Sequence, residues 1–308
     1  MRIAIIDLGT NTCNLLIADI IDSNWTTVFK NKAAVKLGEG GITKNEISEA
    51  AYQRGLDSLI KHKANIDAYK VDKTYAFATS ATRGASNGPQ FVAAVKEKTG
   101  IAINIIDGKT EAELIYYGVR QATNITSKCL IMDIGGGSTE FIIADGQQVH
   151  FKKSYDLGAA RLLAMFNPND PITETEIATI KNFLKEEVKD LLFICKQNKI
   201  KHLIGSSGSF DSLASVITKM KYPEVDLKSK TDYTFKLADY YEIHNQLLKS
   251  NLNERYNMDG LSTLRAEMIV LAILFIELII DELEINKMQL STYALKEGAI
   301  AKVVSGEF

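Results

Sequence analysis

Excess charge of either sign is missing from this chain: 36 Lys and Arg stand against 38 Asp and Glu, a formal net charge of -2 over 308 residues. Near-neutrality gives no global pull toward duplex nucleic acid or an anionic membrane, so any anion site has to be built locally. Cysteine is scarce as well. Cys13, Cys129 and Cys195 are widely spaced, with no CxxC pair, which argues against a disulfide framework and suits a reducing compartment. The four histidines, His62, His150, His202 and His244, lack metal-ligand spacing and none precedes an aspartate, so no histidine-based site of the HD type is expected. Long apolar runs are also missing. The longest, Met268 to Ile280, contains Glu277 and falls short of the roughly 20 apolar residues that cross a bilayer. It reads as a buried helix. The start, Met1-Arg2-Ile3-Ala4-Ile5-Ile6-Asp7, reads as a strand without the apolar h-region of an export signal. A cytoplasmic protein with neither membrane nor nucleic-acid partner is the expectation.

What is present is enough apolar residue, 46% of the chain, for two domains with a core each. The chain also echoes itself. Ile3-Ala4-Ile5-Ile6-Asp7-Leu8-Gly9 lies without gaps over Cys129-Leu130-Ile131-Met132-Asp133-Ile134-Gly135, and at the same offset Thr12 falls on Ser138, Leu15 to Ile17 on Phe141 to Ile143, and Ala18-Asp19 on Ala144-Asp145. Each copy is an apolar strand ending in Asp, a polar turn and a second apolar strand, the pattern of a β-hairpin. A duplicated α/β chain is implied.

After the first hairpin, helical spacing over Ile47 to Ala68, a short strand at Thr74 to Ala78, a helix reaching Gly100, a strand at Ile101 to Ile106 and a helix at Glu111 to Gln121 complete a first domain, 1–125. The boundary is expected in the polar stretch Thr123 to Lys128. The second domain, 126–296, opens with the repeated hairpin and a helix at Gly158 to Phe166. Thr173 to Asn198 is read as one long helix entered through a Thr-x-x-Glu capping box. A strand at Lys201 to Ile204 runs into Gly205-Ser206-Ser207-Gly208-Ser209, and the remainder is read as mostly helical. The last helix, about 297–308, is expected to pack back on the first domain.

The chemistry sits at the turns. In Asp133-Ile134-Gly135-Gly136-Gly137-Ser138-Thr139-Glu140, three glycines let backbone amides form a nest for phosphate oxygens, Ser138 and Thr139 add hydroxyl donors, and the bracketing carboxylates suit Mg²⁺. Gly9, Thr10, Asn11 and Thr12 form the partner tip after Asp7. Paired at one register, the two tips can hold opposite sides of a phosphate chain across a cleft. Arg83, after a strand and a small-residue turn, offers a planar guanidinium suited to bidentate phosphate contact. Glu111 starts a helix, where the dipole alone would explain it. The Gly205 to Ser209 loop is either an anion site at a helix N-terminus, with Gly208 at its centre, or a plain strand-to-helix turn.

Two such hairpins in duplicated halves resemble the actin, Hsp70 and sugar-kinase superfamily. The segments Thr79-Ser80-Ala81-Thr82-Arg83 with Ala85 and Asn87, Glu111-Ala112 with Ile115 to Gly118, Asp133 to Glu140, Gly158 with Arg161-Leu162, Gly205 to Gly208 and Leu295-Lys296-Glu297-Gly298 together resemble, in order and over nearly the entire chain, the exopolyphosphatase and guanosine-pentaphosphatase family. The resemblance implies an actin-like (ribonuclease H-like) ATPase fold of two domains. It also implies Mg²⁺-dependent release of phosphate from inorganic polyphosphate or guanosine pentaphosphate. In that reading Glu111 activates water, Arg83 contacts phosphate, and Asp133, Glu140 and Asp7 lie on the metal side. A homodimer through the apolar C-terminal helices is a further possibility of this reading. Two alternatives stay open: an ATP-dependent small-molecule kinase of the same superfamily, and a non-catalytic phosphate or nucleotide sensor.

Overall fold

In the computed structural model, which describes all of residues 1–308, the apolar run after Met1 becomes strand β1 (Arg2–Leu8). Ile3 to Ile6 are fully buried, as expected of a central strand covered on both faces. β1 pairs antiparallel with β2 (Thr12–Ile21), and β2 pairs antiparallel with β3 (Asn24–Ala34). On its other side β1 runs parallel to β4 (Lys73–Ala78), which is followed by β5 (Ile103–Ile105). The order is β3-β2-β1-β4-β5. Helices Glu49–Ala68 and Gly88–Thr99 belong to the same unit, and Phe91 and Val95 of the second lie in the core that β1, β2 and β4 build.

The second sheet repeats the layout. β6 (Cys129–Ile134), β7 (Thr139–Ala144) and β8 (Val149–Tyr155) form an antiparallel meander, and β9 (His202–Ser206) lies parallel to β6. β10 (Asp232–Phe235) pairs antiparallel with β11 (Lys287–Ser291), which runs parallel to β9. The order β10-β11-β9-β6-β7-β8 reproduces the first sheet from β8 to β11, with β10 added at one edge.

The chain divides into unit 1, Met1–Gly118 with Leu295–Phe308, and unit 2, Val119–Ala294. It leaves unit 1 inside the helix Gly108–Ala122, before the polar stretch in which the boundary was expected. The C-terminal helix Leu295–Val304 belongs to unit 1.

Several elements differ from the sequence-based expectation. Each hairpin is the first part of a three-stranded meander, because β3 and β8 are edge strands whose exposed residues carry no apolar run. The segment expected as one helix from Thr173 to Asn198 is two, Glu174–Glu187 and Lys189–Gln197, broken where Val188 takes φ -108° and ψ 19°. Its capping box is in place, with Glu176 accepting the Thr173 N–H at 2.9 Å. The C-terminal part is not only helical, since it holds β10 and β11. Helix Ile269–Leu283 is buried nearly all round, and its Glu277 is matched by Lys181 at 2.9 Å. No helix is long and apolar enough to cross a membrane. All three cysteines are free and buried.

Candidate active site

In unit 2 the tip between β6 and β7 is closed by the Gly135 N–H donating to Ser138 O at 3.0 Å. The glycine carbonyls are all engaged on one side. Gly135 O accepts from Ala159 N, Gly136 O from Ala160 N and Arg161 N, and Gly137 O from Arg161 Nε, at 2.9–3.0 Å. These donors belong to the start of helix Ala159–Phe166. In a trans peptide the N–H points opposite to the C=O, so the amides of Gly136, Gly137 and Ser138 are turned away from that helix. Gly158 makes the contact possible: a Cβ there would lie 2.4 Å from Gly136 C and O and from Gly137 N. A helix N-terminus thus grips the loop from behind.

Asp133 and Glu140 are directly opposed across β6 and β7 and are 6% and 1% exposed. Ser206 Oγ donates to Asp133 Oδ2 and Ser154 Oγ to Glu140 Oε1, both at 2.7 Å. Thr139 differs from its expected role as a phosphate donor. Its hydroxyl donates to Leu157 O at 2.9 Å and ties the strand to the following loop. Ser138 is 2% exposed.

The Gly205 to Ser209 segment carries a residue the sequence reading missed. Gly208 packs directly on a guanidinium, since a Cβ would lie 2.2 Å from Arg265 Nη2. Gly208 thus makes room for an arginine. Arg265 is 6% exposed, and its Nε and Nη1 have no hydrogen-bond partner. Burial lowers its pKa, while the charges of Asp211 and Asp133 act against that. A buried guanidinium with unmatched donors keeps the capacity to bind an anion. Nothing in Leu264-Arg265-Ala266 marks it in one dimension; only its seat beside Gly208 does.

In unit 1 the sister tip is closed in the same way, Gly9 N donating to Thr12 O at 2.9 Å. Here the segment after β3 grips the loop: Asn11 O accepts from Val35 N and Lys36 N at 3.0 and 3.1 Å, and Thr10 O from Gly38 N at 3.3 Å. Thr10, Asn11 and Thr12 are all buried. Asp7 receives the Asn14 amide at 3.1 Å. Burial raises its pKa, against the charge of Lys296 and the Asn14 bond, with Glu297 raising it further and Lys32 lowering it.

β4 ends in the short helix Ser80–Arg83, and helix Gly108–Ala122 starts behind Asp107, whose carboxylate accepts the Thr110 N–H at 2.7 Å. That bond is the main reason the Asp107 pKa is lowered. The capped first turn presents Glu111, which is 7% exposed. Arg83 Nη1 donates to Glu111 Oε2 at 2.8 Å and to Ile106 O at 3.1 Å. The two residues named separately from sequence are one ion pair. Beside Arg83 in the chain, within the segment that carries the family resemblance, the buried hydroxyls of Ser80 and Thr82 have no hydrogen-bond partner.

Metal fit can be judged from the donors. No group of three or more His, Cys, Asp or Glu lies together, so no cage of protein ligands exists. Mg²⁺ needs none, because it usually takes one or two carboxylates and completes its shell with water and substrate phosphate. The opposed Asp133 and Glu140 meet that requirement.

A meander of three strands extended by parallel strands, present twice, defines a duplicated actin-like (ribonuclease H-like) α/β protein. The chain belongs to the Ppx/GppA phosphatase family, whose model matches residues 16–307. It is similar to the crystal structure of an exopolyphosphatase from Cytophaga hutchinsonii, with TM-score 0.97 and 38% identity over 99% of this chain and 98% of that one. It is 33% identical over 293 residues to a bifunctional 3-dehydroquinate synthase/phosphatase of Fusobacterium nucleatum, covering 90% of this chain and 43% of that protein. A guanosine-5'-triphosphate,3'-diphosphate pyrophosphatase of Photobacterium profundum is 27% identical over 98% of this chain and 59% of its own length. The chain thus spans less than two thirds of either of these two longer relatives.

Proposed function

We propose that this chain is a phosphoanhydride hydrolase that releases terminal orthophosphate from inorganic polyphosphate or the 5'-phosphate from guanosine pentaphosphate. The observation that carries this reading is the ion pair between buried Glu111 and partly exposed Arg83. A hydrolase needs a carboxylate to orient and deprotonate water, with fixed positive charge near the phosphoryl oxygens. Arg83 serves both needs. Its Nη1 fixes the direction of the Glu111 carboxylate, and its Nε and Nη2 remain as donors toward phosphate.

The amides of Gly136, Gly137 and Ser138, the tip residues Thr10 to Thr12 and Arg265 are assigned to phosphate binding. Asp133 and Glu140 are assigned to a divalent cation, Mg²⁺ in this reading, which would neutralise phosphate charge when bound. In unit 1, Asp7 already has Asn14, Lys296 and Lys32 to offset its charge. Similarity to an exopolyphosphatase and to a guanosine-pentaphosphate-acting enzyme supports the substrate class.

The test is phosphate release from long polyphosphate and from guanosine pentaphosphate, by the native chain and by Glu111→Gln, with and without Mg²⁺. Glu111→Gln is expected to lose roughly 10²- to 10⁴-fold in turnover, the usual worth of a general base, with an unchanged circular dichroism spectrum. Turnover at the native rate would remove Glu111 from the mechanism. ATP consumption that appears only with an acceptor alcohol would favour a kinase instead.

A further inference from the structure

Both carboxylates assigned to the cation have a serine on the neighbouring strand. Ser206 of β9 opposes Asp133 of β6, Asp133 opposes Glu140 of β7, and Glu140 opposes Ser154 of β8. The four residues form one row across four strands, on one face of the sheet. Each hydroxyl donates to its neighbouring carboxylate at 2.7 Å, and the Ser206–Asp133 bond is buried.

Duplication supplies an internal control. The equivalent row in unit 1 runs Phe77, Asp7, Asn14, Lys32, in the same strand order. An aromatic ring stands where Ser206 is, an amide where Glu140 is and a lysine where Ser154 is. The fold therefore demands no hydroxyl at either flanking place. Serines flank the carboxylate only in the row that holds two of them.

Resting on the assignment of the cation to Asp133 and Glu140, we propose that Ser206 and Ser154 are positioning residues for that cation. Each hydroxyl holds one carboxylate oxygen and so fixes the rotation of the group, presenting the pair to the ion in one arrangement. Hydrogen-bonding partners of metal ligands typically account for a 10- to 100-fold difference in metal affinity.

Mn²⁺, titrated into the full chain and followed by the electron paramagnetic resonance of the free ion, measures this without turnover. Ser206→Ala and Ser154→Ala are each expected to raise the Mn²⁺ Kd by roughly 10-fold or more, and Ser154→Thr, which keeps the hydroxyl, to stay near native. Thermal melts identify any variant that fails to fold, and Ser154→Ala decides the matter should Ser206→Ala be that variant. Native Kd in both alanine variants, beside a weakened Asp133→Asn, would show that the serines serve only the sheet. Native Kd in Asp133→Asn as well would overturn the cation assignment and this proposal with it.

Discussion

Arg265 is the residue whose physics conflicts most with stability. A guanidinium that is 6% exposed with two nitrogens unmatched bears a desolvation penalty that Asp211 and Asp133 offset only in part. Under the proposed function, its missing partner is a phosphate of the substrate. Arg265→Met is therefore expected to leave the unfolding temperature equal or higher while raising KM for polyphosphate about tenfold, as loss of one charge-assisted contact implies. A melt and a saturation curve on the same preparation check both halves. A lower melting temperature with unchanged KM would make Arg265 structural. Arg83 and Glu111 stood out in the sequence one by one, and the fold joins them in one ion pair. Neither the bond of the Thr139 hydroxyl to Leu157 O nor the packing of Gly208 on Arg265 was legible, because neither partner is near in sequence.

At the scale of elements, the decisive contact is helix Ala159–Phe166 against the glycine loop. Four bonds from its first turn hold the three glycine carbonyls, and Gly158 lets the two backbones touch. Gly158→Ala would put a methyl 2.4 Å from the Gly136 carbonyl. With backbone on both sides, neither can give way as a side chain would. The expected result is a loss of about 1–3 kcal/mol, the range for overpacking, together with weaker phosphate binding. Urea unfolding and phosphate-release kinetics measure the two effects. The two hairpins were legible because they repeat, and repetition reveals a unit that neither copy would prove alone. β3, β8, β10 and β11 were not, since short or exposed strands are set by the neighbour they pair with more than by their own apolar pattern.

For the whole molecule, acid sensitivity follows from its buried histidines. Burial, helped by the charge of Lys287, lowers the His202 pKa from 6.5 to about 4; burial also lowers that of His62. The folded state thus holds His202 neutral, while the unfolded chain takes up a proton near pH 6.5. Above that pH the residue makes no difference. Between about pH 6.5 and 4 the unfolded state binds more protons, so stability is lost as the pH is lowered through that range. His202→Gln is expected to flatten that part of the stability profile, as read from urea midpoints across the range; an unchanged slope would clear His202.

The amino-acid sequence by itself determined that the chain is duplicated, that each copy is α/β, and that Asp, Gly and hydroxyl residues meet at the turns. Those features are local: strand, turn and helix preferences act over a few residues and repeat wherever the pattern repeats. Only the tertiary structure decided which donors remain for a ligand. It joined Arg83 to Glu111, aligned Ser206, Asp133, Glu140 and Ser154 in one row, turned the glycine-loop amides away from helix Ala159–Phe166 and placed Arg265 beside Gly208. Hydrogen-bond capacity is settled by whichever group lies within about 3 Å, and in this fold that group usually comes from a distant part of the chain.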